Sequence, residues 1–227
     1  MPKHTPWKNP AIQEALFEVH FPVVEDYAIF AGGMALELGE LFPIHEKISD
    51  FPDFIQIEGV LRHRFKTQDT GLICQIGADT LTVNVIKYIG FNNFIENIEK
   101  VLVSASKFTK IKNLNKLGLR YINNFPNIQE PFQTLNISSP FTEFDSNRVQ
   151  ELSIKQVQIE SEHFTSSIDI HSVIRDSYLI LDIDVFHISS TDEWEMQRIL
   201  KWVDDAHEII YNKFENTICD IEKNKRK

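Results

Sequence analysis

The neighbouring residues His207 and Glu208 are the first side chains in this sequence whose types suggest chemistry. A half-buried histidine can bind a metal ion or act as a general base. On a helix, His207 borders the apolar stripe because it lies four residues after Val203, and Glu208 is expected to face solvent. The alternative is a histidine at the edge of the core that is satisfied by a carbonyl or carboxylate. The segment is not the zinc pattern H-E-x-x-H, because Tyr211 stands where the second histidine is required.

Acidic residues on two neighbouring predicted strands are candidates for a metal site. Asp182 and Asp184 share one face of the later strand, and Asp169 and His171 share one face of the earlier strand. If these faces coincide, three carboxylates and one imidazole meet, which suits a divalent cation. The alternative is that these residues lie on a solvated outer face of the sheet. A shift of one residue in strand register would move the whole set to the other face, so the register decides between the two. Asp182 and Asp184 are also candidate catalytic groups beside His207.

A stripe of basic residues alternates along one predicted strand. Arg62, Arg64 and Lys66 are separated by His63 and Phe65. Such a stripe can hold a phosphate, a carboxylate ligand or the acidic surface of a partner. With interleaved aromatic rings it can also bind RNA or another single strand. The alternative is that the cations pair with Glu or Asp on the adjacent strand.

Arg120 lies in the middle of an apolar strand, on the face opposite to Leu119 and Tyr121. A charged side chain in such a position needs a partner. A structural ion pair with Glu14 or Glu18 is the expected partner arrangement. The alternative is a site at which Arg120 binds the anionic group of a ligand.

Composition and charge exclude several classes of protein. The chain has 227 residues, 42% hydrophobic residues, two distant cysteines and a net charge of −10. An acidic protein is a poor duplex binder, so nucleic-acid binding is disfavoured. No run approaches the roughly 18 apolar residues of a membrane span, and the cysteine spacing indicates neither zinc nor disulfides. We therefore expect a cytoplasmic protein with no cofactor, which also lacks the phosphate-binding, dinucleotide-binding and nucleophile-elbow motifs.

Hydrophobic periodicity predicts an α+β fold in which a mostly antiparallel, curved sheet packs against three main helices. The predicted order is β-α-β-β-β-α-β-loop-β-β-β-α. The strands are predicted at residues 15–21, 54–66, 72–76, 81–86, 117–122, 152–162, 166–174 and 178–188. The helices are predicted at residues 25–42, 92–108 and 192–221. A long irregular loop at residues 125–147 is unusual in a compact domain and indicates a function, a dimer contact or a short element that the pattern does not reveal.

The domain prediction is a single α+β domain over residues 1–227. The order of elements also permits two pseudo-related halves, 11–108 and 109–227. Residues 1–10, which contain three prolines, form an extended arm, and residues 222–227 form a basic tail.

Four segments together resemble a known protein family. They are NPAIQEALFEVHF at residues 9–21, LTVNV at 81–85 with the aromatic run to Phe91, LGLRYIN at 117–123 and WVDDAHEII at 202–210. In this order, and over nearly the whole chain, they resemble a sporadically distributed prokaryotic family that has no assigned activity. The resemblance supplies no catalytic residues. The recurrent positions of the family that are matched here are Glu14, Asn84, Arg120, Tyr121, Asn123, His207 and Glu208.

The first functional hypothesis is a non-enzymatic binding or interaction protein. A patchy distribution implies an accessory gene, such as a component of a bacterial defence or toxin–antitoxin-like module. We expect a homo-oligomer whose partner is a protein encoded by a neighbouring gene, with no membrane association. The expected binding residues are Arg120, Tyr121, Asn123, Arg62, Arg64, Glu14 and Glu208.

Two alternative functions stay open at this stage. One is a metal- or anion-dependent enzyme acting on a small ligand, in which Arg120 binds the anion and His207 supplies acid–base chemistry. The other is RNA or single-strand binding by the stripe that contains Arg62, Arg64 and Lys66.

Overall fold

A single antiparallel sheet forms the framework of the protein. The computed structural model describes residues 7–49, 61–108, 111–126, 136, 150–160, 165–175, 178–189 and 192–226. Within these ranges the sheet has nine strands: β1 Ile12–His20, β2 Ile44–Ser49, β3 Leu61–Lys66, β4 Leu72–Ile76, β5 Thr80–Val85, β6 Lys116–Phe125, β7 Gln150–Glu160, β8 Thr165–Arg175 and β9 Tyr178–Ile188. The helices in the same ranges are α1 Tyr27–Leu38, α2 Phe91–Phe108, α3 Met196–Thr217 and α4 Asp220–Arg226.

The strand order is β2-β3-β4-β5-β1-β6-β9-β8-β7, and every pairing is antiparallel. The adjacent strands β1 and β6 form the centre. On one side of them the chain runs as a meander from β2 at the edge inward to β5, and on the other side from β7 at the edge inward to β9. A helix follows the last strand of each meander, α2 after β5 and α3 after β9.

Successive side chains along the central strands point alternately to a buried face and to a more exposed face of the sheet. On β1, Ala15, Phe17 and Val19 are buried, while Glu14 and Glu18 point to the other face. The same period of two holds on β6 and β9. The apolar face packs beneath α1, α2 and α3, and the opposite face carries charged and polar groups. We call these the helix face and the open face of the sheet.

Aromatic side chains fill the space between the sheet and the helices. Phe17, Phe21, Phe30, Phe94 and Trp202 are all almost completely buried. Phe21 packs edge-on against both Phe30 of α1 and the ring of Trp194, with centroid distances of 6.3 and 5.9 Å. Edge-to-face pairs of this kind contribute roughly 0.5–1.5 kcal/mol beyond the burial of their area. They fix the helices on one side of the sheet.

The α+β class and the antiparallel sheet agree with the sequence prediction, but the predicted order is incomplete. Strand β2, Ile44–Ser49, was not predicted, because its only strong apolar residues are Ile44 and Ile48 at its two ends. It pairs with β3 over its whole length. The predicted strand residues 54–60 lie outside the described residues, as does almost all of the predicted loop 125–147.

The last predicted helix, residues 192–221, is two helices. Helix α3 begins at Met196 because Asp192 is held outside it, 2.6 Å from Nε2 of His187. It ends at Thr217 because Ile218 is extended and fully buried, which turns the chain before α4 begins. Across the described ranges, no helix combines the length and the apolar character that crossing a bilayer requires.

The sequence predicts that Gly32 and Gly33 weaken or kink the first helix, and the structure gives each glycine a different environment. Helix α1 runs through both of them. A Cβ atom on Gly33 would lie 2.3 Å from Cδ1 of Phe108, whereas a Cβ atom on Gly32 would meet nothing within 4 Å. The close approach of α2 to α1 therefore depends on Gly33.

Replacing each glycine by alanine gives the first prediction. Gly33→Ala displaces the ring of Phe108 and lowers the free energy of unfolding by about 1–3 kcal/mol. Gly32→Ala, the matched control, raises it by up to about 1 kcal/mol because alanine loses less backbone entropy. Urea denaturation of both variants measures the two changes. Equal effects at the two positions would contradict the packing described here.

Candidate functional site

A cavity of about 750 Å³ opens between the sheet and the helices. This volume lies within the roughly 300–1,000 Å³ that is typical of small-molecule sites. Four segments form its wall: the chain before β1, the connection from β5 into α2, strand β6 and one side of α3. The aromatic residues in the wall are Trp7, Tyr88, Phe91, Tyr121, Tyr211 and Phe214, and the charged residues are Lys8, Glu96, Asp204 and Glu208.

The polar floor of this cavity consists of two tyrosines and one histidine. The hydroxyl of Tyr121 and Nδ1 of His207 share a hydrogen bond of 2.9 Å. The hydroxyl of Tyr121 is also hydrogen-bonded to Tyr88, whose ring lies 5.6 Å from that of Tyr121. Each of these groups can both donate and accept, so the three form a continuous chain, which we call the Tyr88–Tyr121–His207 chain.

Local packing holds His207 in one orientation. Its ring stacks on Phe91 with the centroids 3.7 Å apart and the planes within 6° of each other. His207 is only 9% exposed. The sequence places it at the border of the helix stripe, and the structure places it inside, because Trp202 and Ala206 widen the buried side of α3.

Burial keeps both tyrosine hydroxyls protonated. It raises the pKa of Tyr88 to about 12 and raises the pKa of Tyr121 well above its usual range. At neutral pH the two hydroxyls are therefore uncharged hydrogen-bonding groups. This arrangement suits the orientation of a ligand better than nucleophilic attack.

One stripe of α3 supplies charged and aromatic residues to the wall of the cavity. Asp204, Glu208 and Tyr211 are spaced four and three residues apart, so they share a side of the helix. Glu208 was predicted to face solvent. It is instead half-buried and lines the cavity.

The chain before β1 closes one side of the cavity. Trp7 packs on Phe214 with a centroid distance of 5.2 Å, and the backbone amide of Asn9 donates to the carbonyl of Arg226 at 3.2 Å. Arg226 in turn lies 4.9 Å from the ring centroid of Phe125. Residues 222–226 of the predicted basic tail thus form part of a helix that anchors the extended arm.

Arg120 lies on the open face and not in the cavity. Its Nε donates to Oδ1 and Oδ2 of Asp182 at 2.9 and 3.1 Å. The expected structural ion pair of Arg120 is therefore present, but its partner is Asp182 and not Glu14 or Glu18. Glu14 accepts a hydrogen bond from Asn84 at 2.7 Å, and Glu18 pairs with Lys116.

The strand register aligns the four residues of the predicted metal site. Asp169 is opposite Asp184, and His171 is opposite Asp182. The contacts of Asp169 and His171 lie outside the described side chains, and Asp182 is bound to Arg120. Among the side chains that the structure describes, no three His, Cys, Asp or Glu residues are grouped so that they could hold a metal ion.

The basic stripe of β3 also lies on the open face. Lys66 pairs with Glu46 of β2 at 2.7 Å, which is the cross-strand arrangement that the sequence left open, and Arg64 donates to Gln75 at 3.5 Å. Arg62 alternates with them on the same face. Phe65 is buried on the helix face, so its ring does not lie beside the three cations.

The sequence-predicted site residues fall into two separate groups. Tyr121, Asn123, His207 and Glu208 converge on the cavity. Arg120 is on the opposite side of the same strand, together with the candidates Glu14, Asp182, Asp184, Arg62 and Arg64. The structure therefore brings Arg120 and His207 into no common cleft.

Several lining residues were missed by the sequence reasoning. Tyr88 and Phe91 belong to an aromatic run that was recognised only as part of the family resemblance, and Trp7 was assigned to an extended arm. Asp204 precedes His207 by three residues, so helical spacing was the signal that could have found it. Neither a family model nor a curated protein matches this chain.

Removing one hydroxyl tests the floor of the cavity. Tyr121→Phe leaves His207 and Tyr88 without their shared buried partner, which lowers the free energy of unfolding by about 1–3 kcal/mol. Tyr211→Phe is the control, since Tyr211 is half-exposed and its hydroxyl donates to Glu215 at 3.1 Å, and a change within about 0.5 kcal/mol is expected. Urea denaturation compares the two. A loss no larger for Tyr121→Phe than for the control would contradict the chain of hydrogen bonds.

The carboxyl group of Asp184 makes the stability of the protein depend on pH. Burial raises its pKa to about 6, against the opposing charges of Lys116 and Arg120. The carboxyl group of Asp184 therefore binds its proton more tightly in the folded state than in the unfolded chain. As the pH rises from about 4 to above 6, this group loses its proton and lowers the free energy of unfolding. Asp184→Asn is expected to be more stable than the wild type at about pH 8 and to lose that advantage at about pH 4.

Glu18 provides a control of opposite sign for this pH dependence. Its hydrogen bond with His20, together with Lys116, lowers its pKa to about 2 in spite of burial. Glu18→Gln is therefore less stable than the wild type at about pH 8, and the difference shrinks as the pH falls below about 4.5. Thermal unfolding across this range measures both variants. If the stability differences of both variants change with pH in the same direction, the opposite pKa shifts assigned to Asp184 and Glu18 are refuted.

Proposed function

We propose that this protein is a non-enzymatic binding protein that holds a small organic ligand in the cavity between β6, α2 and α3. The observation that supports this proposal is the cavity itself, whose wall is mainly apolar with six aromatic side chains and whose floor is the Tyr88–Tyr121–His207 chain. An apolar enclosure with a few convergent polar groups is the usual form of a ligand site.

The state of the polar groups supports binding over catalysis. The raised pKa values of Tyr88 and Tyr121 keep both hydroxyls protonated, and His207 is fixed by its stack on Phe91 and its bond to Tyr121. The two hydroxyls can therefore orient a ligand without exchanging a proton with it. The enzyme alternative that combines Arg120 with His207 loses its geometric basis, since the two side chains lie on opposite faces.

Native mass spectrometry of the purified protein tests the proposal. The wild type is expected to carry a small-molecule mass that is released on denaturation. Asn92→Trp places a large ring at the exposed rim of the cavity and should remove this mass. Lys100→Trp is the matched control, because Lys100 is exposed on the same helix outside the cavity. The same bound mass in all three proteins would refute the proposed site.

A protein partner is a second candidate function, which a separate surface favours. The outer side of α1 is apolar: Ile29 is 65% exposed and Leu36 is 86% exposed, with Gly32 between them on the same side. A helix that is apolar on both sides is usually buried on both sides against other protein surfaces. We propose that this side of α1 binds a protein encoded by a neighbouring gene, as the family resemblance implies for an accessory component of a defence or toxin–antitoxin-like module.

Co-expression with the products of the neighbouring genes tests this second candidate. Ile29→Ser should reduce co-purification of the partner. Ile221→Ser is the matched control, since Ile221 is 70% exposed on α4, and this change should leave the complex intact. Equal recovery of the partner with both variants, or no co-purifying neighbour, would rule out α1 as the interface.

The two meanders around β1 and β6 support a relationship between residues 11–108 and 109–227. RNA binding through Arg62 and Arg64 has less support, because Phe65 is buried on the other face. Homo-oligomer formation is a further proposal that gel filtration with light scattering would decide.

A further inference from the structure

We infer that the ligand of the cavity is an organic cation with an aromatic or aliphatic body. This inference rests on the proposed ligand-binding function and names the chemical class of the ligand. It depends on two features of the cavity wall: its excess of carboxylates and its aromatic rings.

The charges in the wall favour a positive ligand. Glu96, Asp204 and Glu208 contribute three carboxylates, whereas Lys8 contributes one ammonium group. The first turn of α2 also lines the cavity, and a helix N-terminus is equivalent to about half a positive charge. Among the described lining residues, three negative charges against about one and a half positive charges leave the wall negative. The opposite preference, for an anion, would require this balance to be reversed.

The carboxylates of α3 can each accept hydrogen bonds from several donors. A carboxylate has two oxygens with about four acceptor positions, so each can accept hydrogen bonds from more than one donor. Asp204 and Glu208 lie on one side of α3, and Glu96 enters the wall from α2. A cationic nitrogen in the cavity can therefore be approached by carboxylates of two helices.

The aromatic rings supply the second element of recognition. Trp7, Phe91, Tyr211 and Phe214 line the same cavity as the three carboxylates. A cation close to the face of such a ring gains about 0.5–1 kcal/mol when exposed and about 2 kcal/mol or more when it is desolvated. The same rings pack against the apolar body of the ligand. Carboxylates and aromatic faces together select a charged nitrogen on an apolar carrier over a hydrophilic cation.

Three probes that differ mainly in charge test this inference. Naphthylmethylamine is the cation, naphthylmethanol the neutral analogue and naphthoic acid the anion, all on the same ring system. Isothermal titration calorimetry on the intact protein is expected to give at least about tenfold tighter binding for the amine than for either analogue. Added salt should reduce this preference, because part of it is electrostatic.

Isosteric variants test whether the carboxylates of the cavity wall cause the preference for the amine. Glu208→Gln and Asp204→Asn each remove one negative charge and should reduce the preference for the amine by about threefold or more, with little effect on the alcohol. Glu99→Gln, an exposed change on α2 outside the cavity, is the matched control and should leave all three affinities unchanged. Circular dichroism confirms that each variant folds, and two independent variants keep the test decisive if one does not.

The outcomes separate this inference from the proposed function. If the alcohol or the acid binds as tightly as the amine, and Asn92→Trp abolishes that binding, the cavity is a ligand site but the ligand is not a cation. If none of the three probes binds at about 1 mM, both statements are overturned. A preference for the amine that Glu99→Gln removes and Glu208→Gln does not would overturn the assignment to this cavity.

Discussion

The alternation of side chains along β6 is the constraint on which the rest of the structure depends. This strand pairs with β1 on one side and β9 on the other, so it joins the two meanders of the sheet. Successive residues point to opposite faces, which sends Arg120 to the open face and Tyr121 to the helix face. A shift of one residue in register would exchange the two sides. The ion pair with Asp182 and the hydrogen bond with His207 each fit only the register that is found.

The two faces of β6 place polar groups in different physical settings. On the open face, Arg120 and Asp182 form an ion pair in which the arginine keeps contact with solvent. On the helix face, Tyr121 and His207 are buried, so a lost partner is costly there and the geometry is rigid. This rigid, polar floor lies below a wall that carries carboxylates and aromatic rings. The cavity thus combines a preorganised hydrogen-bonding floor with charged side chains that can contact a ligand.

Much of the framework could be predicted from local patterns, and the site only in part. The period of two in residues 15–21 and the helical spacing in residues 92–108 gave correct elements, because burial against one side imposes those periods. The end of α3 at Thr217 was missed, since it depends on the burial of Ile218 and not on a breaking residue. His207, Tyr121 and Asn123 were selected as site residues, yet Arg120 was grouped with His207. Alternation separates Arg120 from Tyr121, but only the packing of α3 on the helix face shows that His207 lies on the side of Tyr121.

The most direct measurement of the central claim is the side-chain NMR spectrum of the protein during a titration with naphthylmethylamine. The account expects the ring signals of His207 and Tyr121 to shift as the amine occupies the cavity, while the guanidinium signal of Arg120 stays in place. A shift of the Arg120 signal without any change at His207 and Tyr121 would place binding on the open face and contradict the account.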